Sequence, residues 1–384
     1  MTSLDTFAAE KLASLEAKNL RRELIETGRK DSIWMTRNGR RLLSFSCNDY
    51  LNLSQHPAIE KAAIAAIEQH GVGAGASRLV TGNHPLFAQL EQRLARLKGT
   101  DAACVFGSGY LANLGIISAV VGGNDLVLVD ELSHSCILSG ADLSGATVVT
   151  FRHNDVAHAE ELLKQHRPKH RHALIATDGV FSMDGDLAPL HDLAALSQIY
   201  DAWLLSDDAH GIGVVGGGRG SSFVGGKKAA VDLQMGTLSK AIGGYGGYLC
   251  ASQNVIDLMK SRARTLVYST GLPPASVAGA IAAIDLIERD PNYAIKPLRK
   301  AKAFTARLNL PEAQSPIVPI VIGSTEAALN ASRMLEDEGF LVTAIRPPTV
   351  PANTARLRLT FTAAHPNAEI ERLAAIIGER ILGH

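Results

Sequence analysis

The sequence feature that most constrains the fold is a short apolar run that ends in polar residues. Residues 202–206 (Ala-Trp-Leu-Leu-Ser) are followed at once by Asp-Asp-Ala-His-Gly at 207–211. A short apolar run bounded in this way is typical of a buried strand. Open α/β sheets bind ligands at the carboxyl ends of their parallel strands, where these polar side chains would lie. The segment therefore predicts a parallel α/β sheet with Asp207 in a ligand site at its edge.

A lysine lies between hydroxyl side chains and glycines further along the chain. Residues 236–247 read Gly-Thr-Leu-Ser-Lys-Ala-Ile-Gly-Gly-Tyr-Gly-Gly, with the lysine at position 240. A lysine that forms an imine needs close access by its ligand, and small neighbours let a flat cofactor approach. On these residues alone, a solvated loop lysine is the alternative. Asp207 favours the first interpretation, because a carboxylate can pair with the pyridine nitrogen of pyridoxal 5′-phosphate (PLP). Lys240 is therefore the candidate Schiff-base lysine.

A phosphate site is indicated upstream. Residues 102–106 read as a strand, and Gly-Ser-Gly-Tyr-Leu-Ala-Asn at 107–113 then opens an apolar helix. Small residues at a helix start expose backbone N–H groups at the positive end of the helix dipole. The pattern predicts that the amides of Gly109 and Tyr110 bind the cofactor phosphate, with Ser108 as a further contact.

Composition narrows the functional class. The 384 residues suffice for one large and one small domain, and 38 basic residues balance 38 acidic ones, so nothing favours a nucleic acid or an anionic membrane as partner. The four cysteines have no paired spacing, which suggests neither disulfides nor a metal site. We found no secretory signal and no run approaching about 18 apolar residues. A cytoplasmic protein with a small-molecule partner is expected.

Three motifs together resemble a known family. Asp-x-Ala-His-Gly at 207–211, Thr-x-x-Lys at 237–240 and Val-Phe-Ser-Met-Asp-Gly at 180–185 are similar to the α-oxoamine synthases, which are fold-type I PLP-dependent enzymes. The resemblance covers nearly the whole chain. It implies an α/β fold: a large domain with a mostly parallel seven-stranded sheet between helices, and a smaller α+β C-terminal domain.

The resemblance also implies a division of the chain and an assembly. An N-terminal helical arm and short strand would occupy residues 1–44, the large PLP-binding domain residues 45–280, and the small domain residues 281–384. The family forms homodimers with the active site at the subunit interface, so a homodimer is expected. The arm itself has helical spacing of apolar residues over about 3–26.

The roles of the cofactor residues follow from the resemblance. The implied catalytic residues are Lys240, His134, Asp207 and His210. His134 would stack on the pyridine ring and His210 would bond its ring oxygen, although a lone histidine is more often structural. Further implied contacts to PLP come from residues that bind its phosphate or ring oxygen, namely Ser108, Gly109, Tyr110, Ser182, Thr237 and Thr270.

Substrate contacts are implied at several positions, namely Arg21, Asn48, His134, Thr349 and Arg358. Arg21 could instead face solvent, and Asn48 could merely cap a turn. Arg356 and Arg358 share one face of a strand by the two-residue period, and a fixed guanidinium can hold a carboxylate. The resemblance favours Arg358; whether Arg356 or Arg346 also contacts substrate stays open.

The implied reaction is a decarboxylative condensation of an amino acid with an acyl thioester. The segment Ala-Ile-Arg-Pro-Pro-Thr-Val-Pro at 344–351 resembles the family members that use L-alanine and a pimeloyl thioester in biotin biosynthesis. The resemblance implies that CO2 and the free thiol carrier are released. The carrier could be coenzyme A or an acyl carrier protein. The alternatives are a sister enzyme, such as glycine C-acetyltransferase or 5-aminolevulinate synthase, and a non-catalytic homologue.

Overall fold

The structure, a computed structural model, describes residues 2–18 and 20–383, except for the side chain of residue 30. Contacts divide the chain into two compact units. Unit 1 comprises residues 1–46 and 319–359, and unit 2 comprises residues 47–318 and 360–384. These bounds differ from those of the predicted domains 1–44, 45–280 and 281–384. The predicted division stays a prediction, because a compact unit is not by itself a functional domain.

The strands, numbered in chain order, are β1 (Gly28–Asp31), β2 (Trp34–Arg37), β3 (Arg40–Ser44), β4 (Ala102–Phe106), β5 (Leu126–Asp130), β6 (Thr147–Phe151), β7 (Ala173–Asp178), β8 (Trp203–Asp207), β9 (Leu233–Thr237), β10 (Gly247–Ala251), β11 (Ile317–Gly323), β12 (Phe340–Leu341), β13 (Thr343–Ile345) and β14 (Ala355–Thr360).

The α-helices are α1 (Ser3–Ala17), α2 (Pro57–His70), α3 (Leu86–Lys98), α4 (Gly109–Val120), α5 (Ser135–Ser144), α6 (Val156–His166), α7 (Leu190–Ile199), α8 (Gln253–Arg262), α9 (Arg264–Val267), α10 (Pro274–Arg289), α11 (Pro291–Ala294), α12 (Lys296–Arg307), α13 (Thr325–Asp337) and α14 (Asn367–Ile377).

Unit 2 is built on a seven-stranded sheet in the order β4-β10-β9-β8-β7-β5-β6. The pairs β5–β6, β5–β7, β7–β8 and β8–β9 are parallel, whereas β10 runs antiparallel to both β4 and β9. Residues of β4, β5, β7, β9 and β10 are all buried, as expected of strands covered on both faces. The predicted seven-stranded, mostly parallel sheet is confirmed.

Helices cover both faces of this sheet. Successive residues of β4 belong to different apolar clusters: Val105 packs in one cluster with Leu90 and Leu94 of α3, and Cys104 in another with Ile116 of α4. Because side chains of a strand alternate between the two faces, these clusters lie on opposite sides of the sheet. The sheet therefore holds its strand ends rigidly between two layers of helices.

The first helix is shorter than the sequence indicated. The spacing predicts a helix over about 3–26, but α1 spans Ser3–Ala17, and residues 21–27 have no regular secondary structure. Thr2 and Asp5 form a capping box at its start, yet the helix buries none of its residues. A helix without a buried face gains little from packing, so the apolar spacing beyond residue 17 did not extend it.

Unit 1 contains a four-stranded sheet in the order β1-β2-β3-β12. Its core includes Leu42, Leu43 and Phe45, and the rings of Phe45 and Phe340 meet edge to face with centroids 5.9 Å apart. A three-stranded sheet, β11-β14-β13, lies mostly in this unit and buries all six residues of β14.

Candidate active site

Three parallel strands of unit 2 end in a carboxylate. Asp130, Asp178 and Asp207 are the last residues of β5, β7 and β8, and β7 lies between the other two strands. Asp178 and Asp207 are register partners. Beside them is a cavity of about 220 Å³. The carboxyl edge of the sheet is where a ligand was expected.

Most of the predicted cofactor residues line this cavity, namely Ser108, Gly109, Tyr110, His134, Asp207, His210, Thr237 and Lys240. They come from the ends of β4, β5, β8 and β9 and from the segments that follow these strands. The sequence separates them by up to 132 positions, from Ser108 to Lys240. Only the pairing of the strands brings them to one place.

Lys240 lies in the hairpin that joins β9 to β10 and is half-buried. Backbone bonds close the hairpin: the amide of Leu238 donates to the carbonyl of Gly246 (2.9 Å), and the amide of Gly243 donates to the carbonyl of Lys240 (2.9 Å). Gly243 has a φ of +74°, and a Cβ there would lie 2.5 Å from a backbone nitrogen of residue 54. Glycine is required at that position, so the loop that carries the lysine is packed closely.

Asp207 is held by two donors. One carboxylate oxygen accepts the side-chain amide of Asn113 (2.7 Å), and the other accepts the backbone amide of Ala209 (2.9 Å). Asp207 is only 5% exposed. These bonds satisfy part of the buried carboxylate and fix its orientation in the cavity.

Asp178, its neighbour in the sheet, has a different character. Burial, reinforced by the charge of Asp207, raises the pKa of Asp178 well above its usual range. Its carboxyl group accepts the backbone amide of His134 (3.1 Å). Burial beside a second carboxyl group therefore favours the protonated form of Asp178.

His134 is oriented by a thiol. Its Nδ1 lies 2.8 Å from Sγ of Cys136, and that sulfur accepts a hydrogen bond from the side-chain Nδ2 of Asn113 (3.0 Å). Burial lowers the pKa of His134, although Asp207 opposes this, and burial together with Asp207 raises the pKa of Cys136 to about 12. A neutral imidazole accepting from a protonated thiol is therefore the stable arrangement at neutral pH.

His210 is buried and bonds a tyrosine. Its Nδ1 lies 2.6 Å from the hydroxyl of Tyr50, which also lies 3.3 Å from the side-chain oxygen of Asn48. Asn48 does not line the cavity, but it is connected to it through this pair.

The start of α4 faces the same cavity. The hydroxyl of Ser108 caps the helix by accepting the amide of Leu111 (3.2 Å), so the amides of Gly109 and Tyr110 precede the first amide bound in this way. A Cβ on Gly247 would lie 2.5 Å from the carbonyl oxygen of Ser108, so β10 approaches this turn closely. Helix amides at such an end bind anions.

The third carboxylate, Asp130, belongs to a different cluster. His153 bridges it to Asp186, with Nδ1 3.1 Å from Asp130 and Nε2 2.8 Å from Asp186. Burial disfavours the imidazolium, but the hydrogen bonds to both carboxylates outweigh this effect and raise the pKa of His153 to about 10. The cluster ties the end of β5 to the turn that follows Ser182.

Other predicted residues lie elsewhere. Ser182 does not line the cavity. Thr270 lines a separate, narrow cleft, and its backbone pairs with that of Ser77 in a single antiparallel β-bridge. Arg358 lies in β14 and is 6% exposed, and it belongs to unit 1.

Arg21 and Thr349 come together in unit 1. Both line a cavity of about 630 Å³, where the guanidinium of Arg22 donates to the hydroxyl of Thr349 (3.2 Å). The guanidinium of Arg346 donates to the backbone carbonyl of Arg21 (3.0 Å), and Arg21 pairs with Glu16. The arginines that line this cavity are Arg21, Arg22, Arg37 and Arg346.

Sequence reasoning gave no role in the site to Tyr50, Asn113, Asp178 or Cys136. Asp178 carried a usable signal, because it follows an apolar run just as Asp207 does. The others carried none, since they reach the site through contacts between distant segments.

Comparison with known proteins identifies the family to which this chain belongs. The sequence model of the family "Aminotransferase class I and II" matches residues 40–377. The 8-amino-7-oxononanoate synthase of Beijerinckia indica is 62% identical over 377 residues, which are 98% of each chain. That of Methylocella silvestris is 66% identical over 341 residues, covering 89% of this chain and 97% of the relative. The chain belongs to the 8-amino-7-oxononanoate synthase family.

Solved structures agree with this family. A serine palmitoyltransferase from S. paucimobilis with bound PLP–myriocin has a TM-score of 0.91 at 28% identity, covering 99% of this chain and 98% of the other. An 8-amino-7-oxononanoate synthase from Francisella tularensis has a TM-score of 0.76 at 25% identity, covering 89% and 98%. The predicted fold class and the predicted acyltransferase of the 8-amino-7-oxononanoate synthase family are confirmed.

The described residues lack two further kinds of feature. Across residues 2–18 and 20–383, no helix has both the length and the apolar character needed to cross a membrane. Within the same part of the chain, histidine, cysteine, aspartate and glutamate side chains form no cluster able to hold a metal ion.

Proposed function

We propose that this member of the 8-amino-7-oxononanoate synthase family condenses L-alanine with a pimeloyl thioester. The products are 8-amino-7-oxononanoate, CO2 and the free thiol carrier, as a step of biotin biosynthesis. The single observation that carries the proposal is the cavity that brings Lys240 and Asp207 together beside the start of α4. The names and identities of the relatives support the choice of substrates.

The cavity's donor set fits PLP. An aldehyde needs an amine, which Lys240 supplies; a pyridinium nitrogen needs a carboxylate, which Asp207 supplies; and a phosphate needs amide donors, which the start of α4 supplies. When bound, PLP supplies an electron sink for the carbanion formed at the α-carbon of the amino acid. The cofactor assignment is therefore part of the proposal.

Each residue then has a physical task. Asp207, fixed by Asn113, would keep the pyridine nitrogen of PLP protonated. His134 would pack against the ring, and His210 would donate to its oxygen. Lys240 Nζ would hold the cofactor, and the free amine of Lys240 would remove the α-proton of L-alanine. Ser108, Gly109, Tyr110 and Thr237 would bind the phosphate.

The substrate residues are proposed from unit 1 and from the segment before α2. Arg21, in the same cavity as Thr349, would bind the acyl substrate. Arg358 would hold the carboxylate of L-alanine, with Asn48 and His134 as further contacts.

The remaining assignments rest on the resemblance alone. They are cofactor contacts from Ser182 and Thr270, a homodimer with the active site at the subunit interface, and a cytoplasmic location. Coenzyme A and an acyl carrier protein both stay open as the acyl carrier.

The covalent assignment is tested by borohydride reduction. The full-length protein is loaded with PLP, reduced, digested and analysed by mass spectrometry. We expect the reduced cofactor on Lys240 and its loss in Lys240→Ala. Lys260→Ala is the matched control, because Lys260 lies on the exposed surface of α8, where it pairs with Asp257. An unlabelled wild-type protein, or equal labelling of Lys240→Ala, would show the assignment to be wrong.

The reaction is tested by thiol release. Pimeloyl, acetyl, succinyl and palmitoyl thioesters are each offered with L-alanine, glycine and L-serine. Release mainly from the pimeloyl thioester with L-alanine is expected. A preference for another pair would assign the chain to a sister activity, and no release from any pair would favour a non-catalytic homologue.

A further inference from the structure

A buried tyrosine lies directly behind His210. Tyr50 is 0% exposed, within the apolar cluster that contains Leu51 and Leu53. Its hydroxyl lies 2.6 Å from Nδ1 of His210, although 160 positions separate the two residues. No sequence motif connects them, and the proposed function gives Tyr50 no part.

The hydroxyl is held firmly in place. The backbone amide of Tyr50 donates to the carbonyl of Asn48 (2.8 Å), and the amide of Ala363 donates to the carbonyl of Tyr50 (2.8 Å). The next turn is closed by Asp49, whose carboxylate accepts the amide of Leu53 (2.9 Å). These bonds fix the backbone that carries Tyr50, and the buried apolar cluster packs around its ring.

The two distances assign the direction of the bond. The hydroxyl of Tyr50 lies 2.6 Å from Nδ1 of His210, which is the distance of a strong hydrogen bond, and 3.3 Å from Oδ1 of Asn48, which is longer than a usual O–H···O bond. If the hydroxyl accepted from Nδ1–H and donated to Asn48, its own proton would occupy the longer contact. Donation of the hydroxyl proton to Nδ1 of His210 uses the shorter contact and is the better arrangement.

We propose that Tyr50 is a positioning residue that holds the neutral imidazole of His210 in the tautomer with its proton on Nε2. The hydrogen bond made by one ring nitrogen decides which nitrogen carries the proton. A His210 that lines the cavity can then act only as a donor through Nε2. This proposal rests on the proposed function, in which His210 donates to an oxygen of PLP, an acceptor that the other tautomer could not bond.

Tyr50→Phe removes only the hydroxyl and keeps the buried ring. Tyr248→Phe is the matched control: Tyr248 is also 0% exposed, and its hydroxyl has no hydrogen-bond partner among the described residues. Both variants lose one oxygen from the interior, but only the first loses hydrogen bonds, the short one to His210 and the long one to Asn48. The tautomer of His210 reports on the first of these bonds specifically.

The first measurement reads the tautomer directly. Full-length protein labelled with ¹⁵N-histidine is studied without PLP at neutral pH, with His210→Gln used to assign the signals. We expect wild type and Tyr248→Phe to show His210 protonated on Nε2 only, and Tyr50→Phe to show a mixture of tautomers. A wild-type His210 protonated on Nδ1, or an unchanged tautomer in Tyr50→Phe, would overturn the proposal. The wild-type spectrum alone suffices for the first of these tests.

The second measurement uses the loaded enzyme. Loss of the hydrogen bond that orients a metal-binding histidine typically costs about 10- to 100-fold in metal affinity or activity, and Tyr50 has the same orienting role towards His210 in our proposal. We expect a fall of this size in kcat or PLP affinity for Tyr50→Phe, with a smaller change in the KM for L-alanine and none for Tyr248→Phe. Equal kinetics for the two variants would contradict a positioning role.

The two proposals can fail separately. If the wild-type protein did not bind PLP, the proposed function would be wrong, whereas the tautomer spectrum would be unaffected. If PLP bound and turnover occurred but Tyr50→Phe behaved like Tyr248→Phe, only the role of Tyr50 would be wrong.

Discussion

Replacing Lys98 by methionine should destabilise unit 2 strongly. Lys98, the last residue of α3, pairs with Asp208 at 2.6 Å, and the two side chains are 1% and 2% exposed. The ammonium also donates to the carbonyl of Arg219 (2.7 Å), and the other oxygen of Asp208 accepts the amide of Ser221 (2.9 Å). Lys98→Met keeps the aliphatic length but leaves a buried carboxylate without its counter-ion.

The size of the effect follows from this geometry. At 2.6 Å and an effective dielectric constant of about 20, two unit charges attract by about 6 kcal/mol. Dehydration of each ion, worth several kcal/mol, offsets this attraction while the pair is intact. Removing one partner loses the attraction and leaves the dehydration cost of Asp208, so we expect a loss of about 3–5 kcal/mol of unfolding free energy.

Denaturant titration followed by tryptophan fluorescence measures this loss. The sequence has two tryptophans, Trp34 in unit 1 and Trp203 in unit 2. In a Trp34→Phe background, Trp203 reports on unit 2 alone. Arg96→Ala is the control from the same helix: Arg96 is more than half exposed and pairs with Glu288, and such a surface pair is worth about 1 kcal/mol or less.

Two results would refute the reasoning. One is a loss for Lys98→Met no larger than that for Arg96→Ala. The other concerns Lys98→Met combined with Asp208→Asn, in which the carboxylate is neutralised while an oxygen remains for the amide of Ser221. That double variant should be more stable than Lys98→Met alone, and it would contradict the argument if it were less stable.

Two further predictions concern pH and the phosphate turn. The raised pKa of His153, about 10 against an ordinary 6.5, means that its contribution to stability is complete below pH 6.5 and is lost as the pH rises through 10. Urea titrations from pH 7 to 10.5 should therefore show a steeper loss for wild type than for His153→Gln; equal slopes would contradict the bridge to Asp130 and Asp186. Gly247→Ala would place a Cβ 2.5 Å from the carbonyl oxygen of Ser108, the residue before α4. PLP titration should show about tenfold weaker binding or worse, whereas Gly244→Ala, with its nearest atom at 3.5 Å, should bind normally.

The sequence predicted the parts of the fold that depend on local pattern. An apolar run such as that before Asp207 predicts a buried strand, because its length and its polar end are both visible in the sequence. The strand predicted over residues 102–106 forms as β4, Ala102–Phe106, for the same reason. The N-terminal helix was predicted too long, since periodicity shows what a helix could bury but not whether a surface exists to cover it.

The site was predictable only where one segment carried the signal. Lys240, Asp207 and the start of α4 each belong to a recognisable stretch, and the structure places them around one cavity. The bond between Asn113 and Asp207 joins residues 94 positions apart, and that between Tyr50 and His210 joins residues 160 apart. Such contacts depend on the order of strands in the sheet, which no single stretch specifies.

The cavity is formed at the ends of β4, β5, β8 and β9, and this arrangement affects the abundance of the protein in a cell. A ligand of this cavity binds only when all four strands are paired, so it stabilises the folded state; at a hundredfold excess over its Kd, the gain is about 2.7 kcal/mol. Chains without ligand unfold more often and are exposed to proteases. In the proposed function this ligand is PLP, so the abundance of the protein is expected to rise and fall with the supply of PLP.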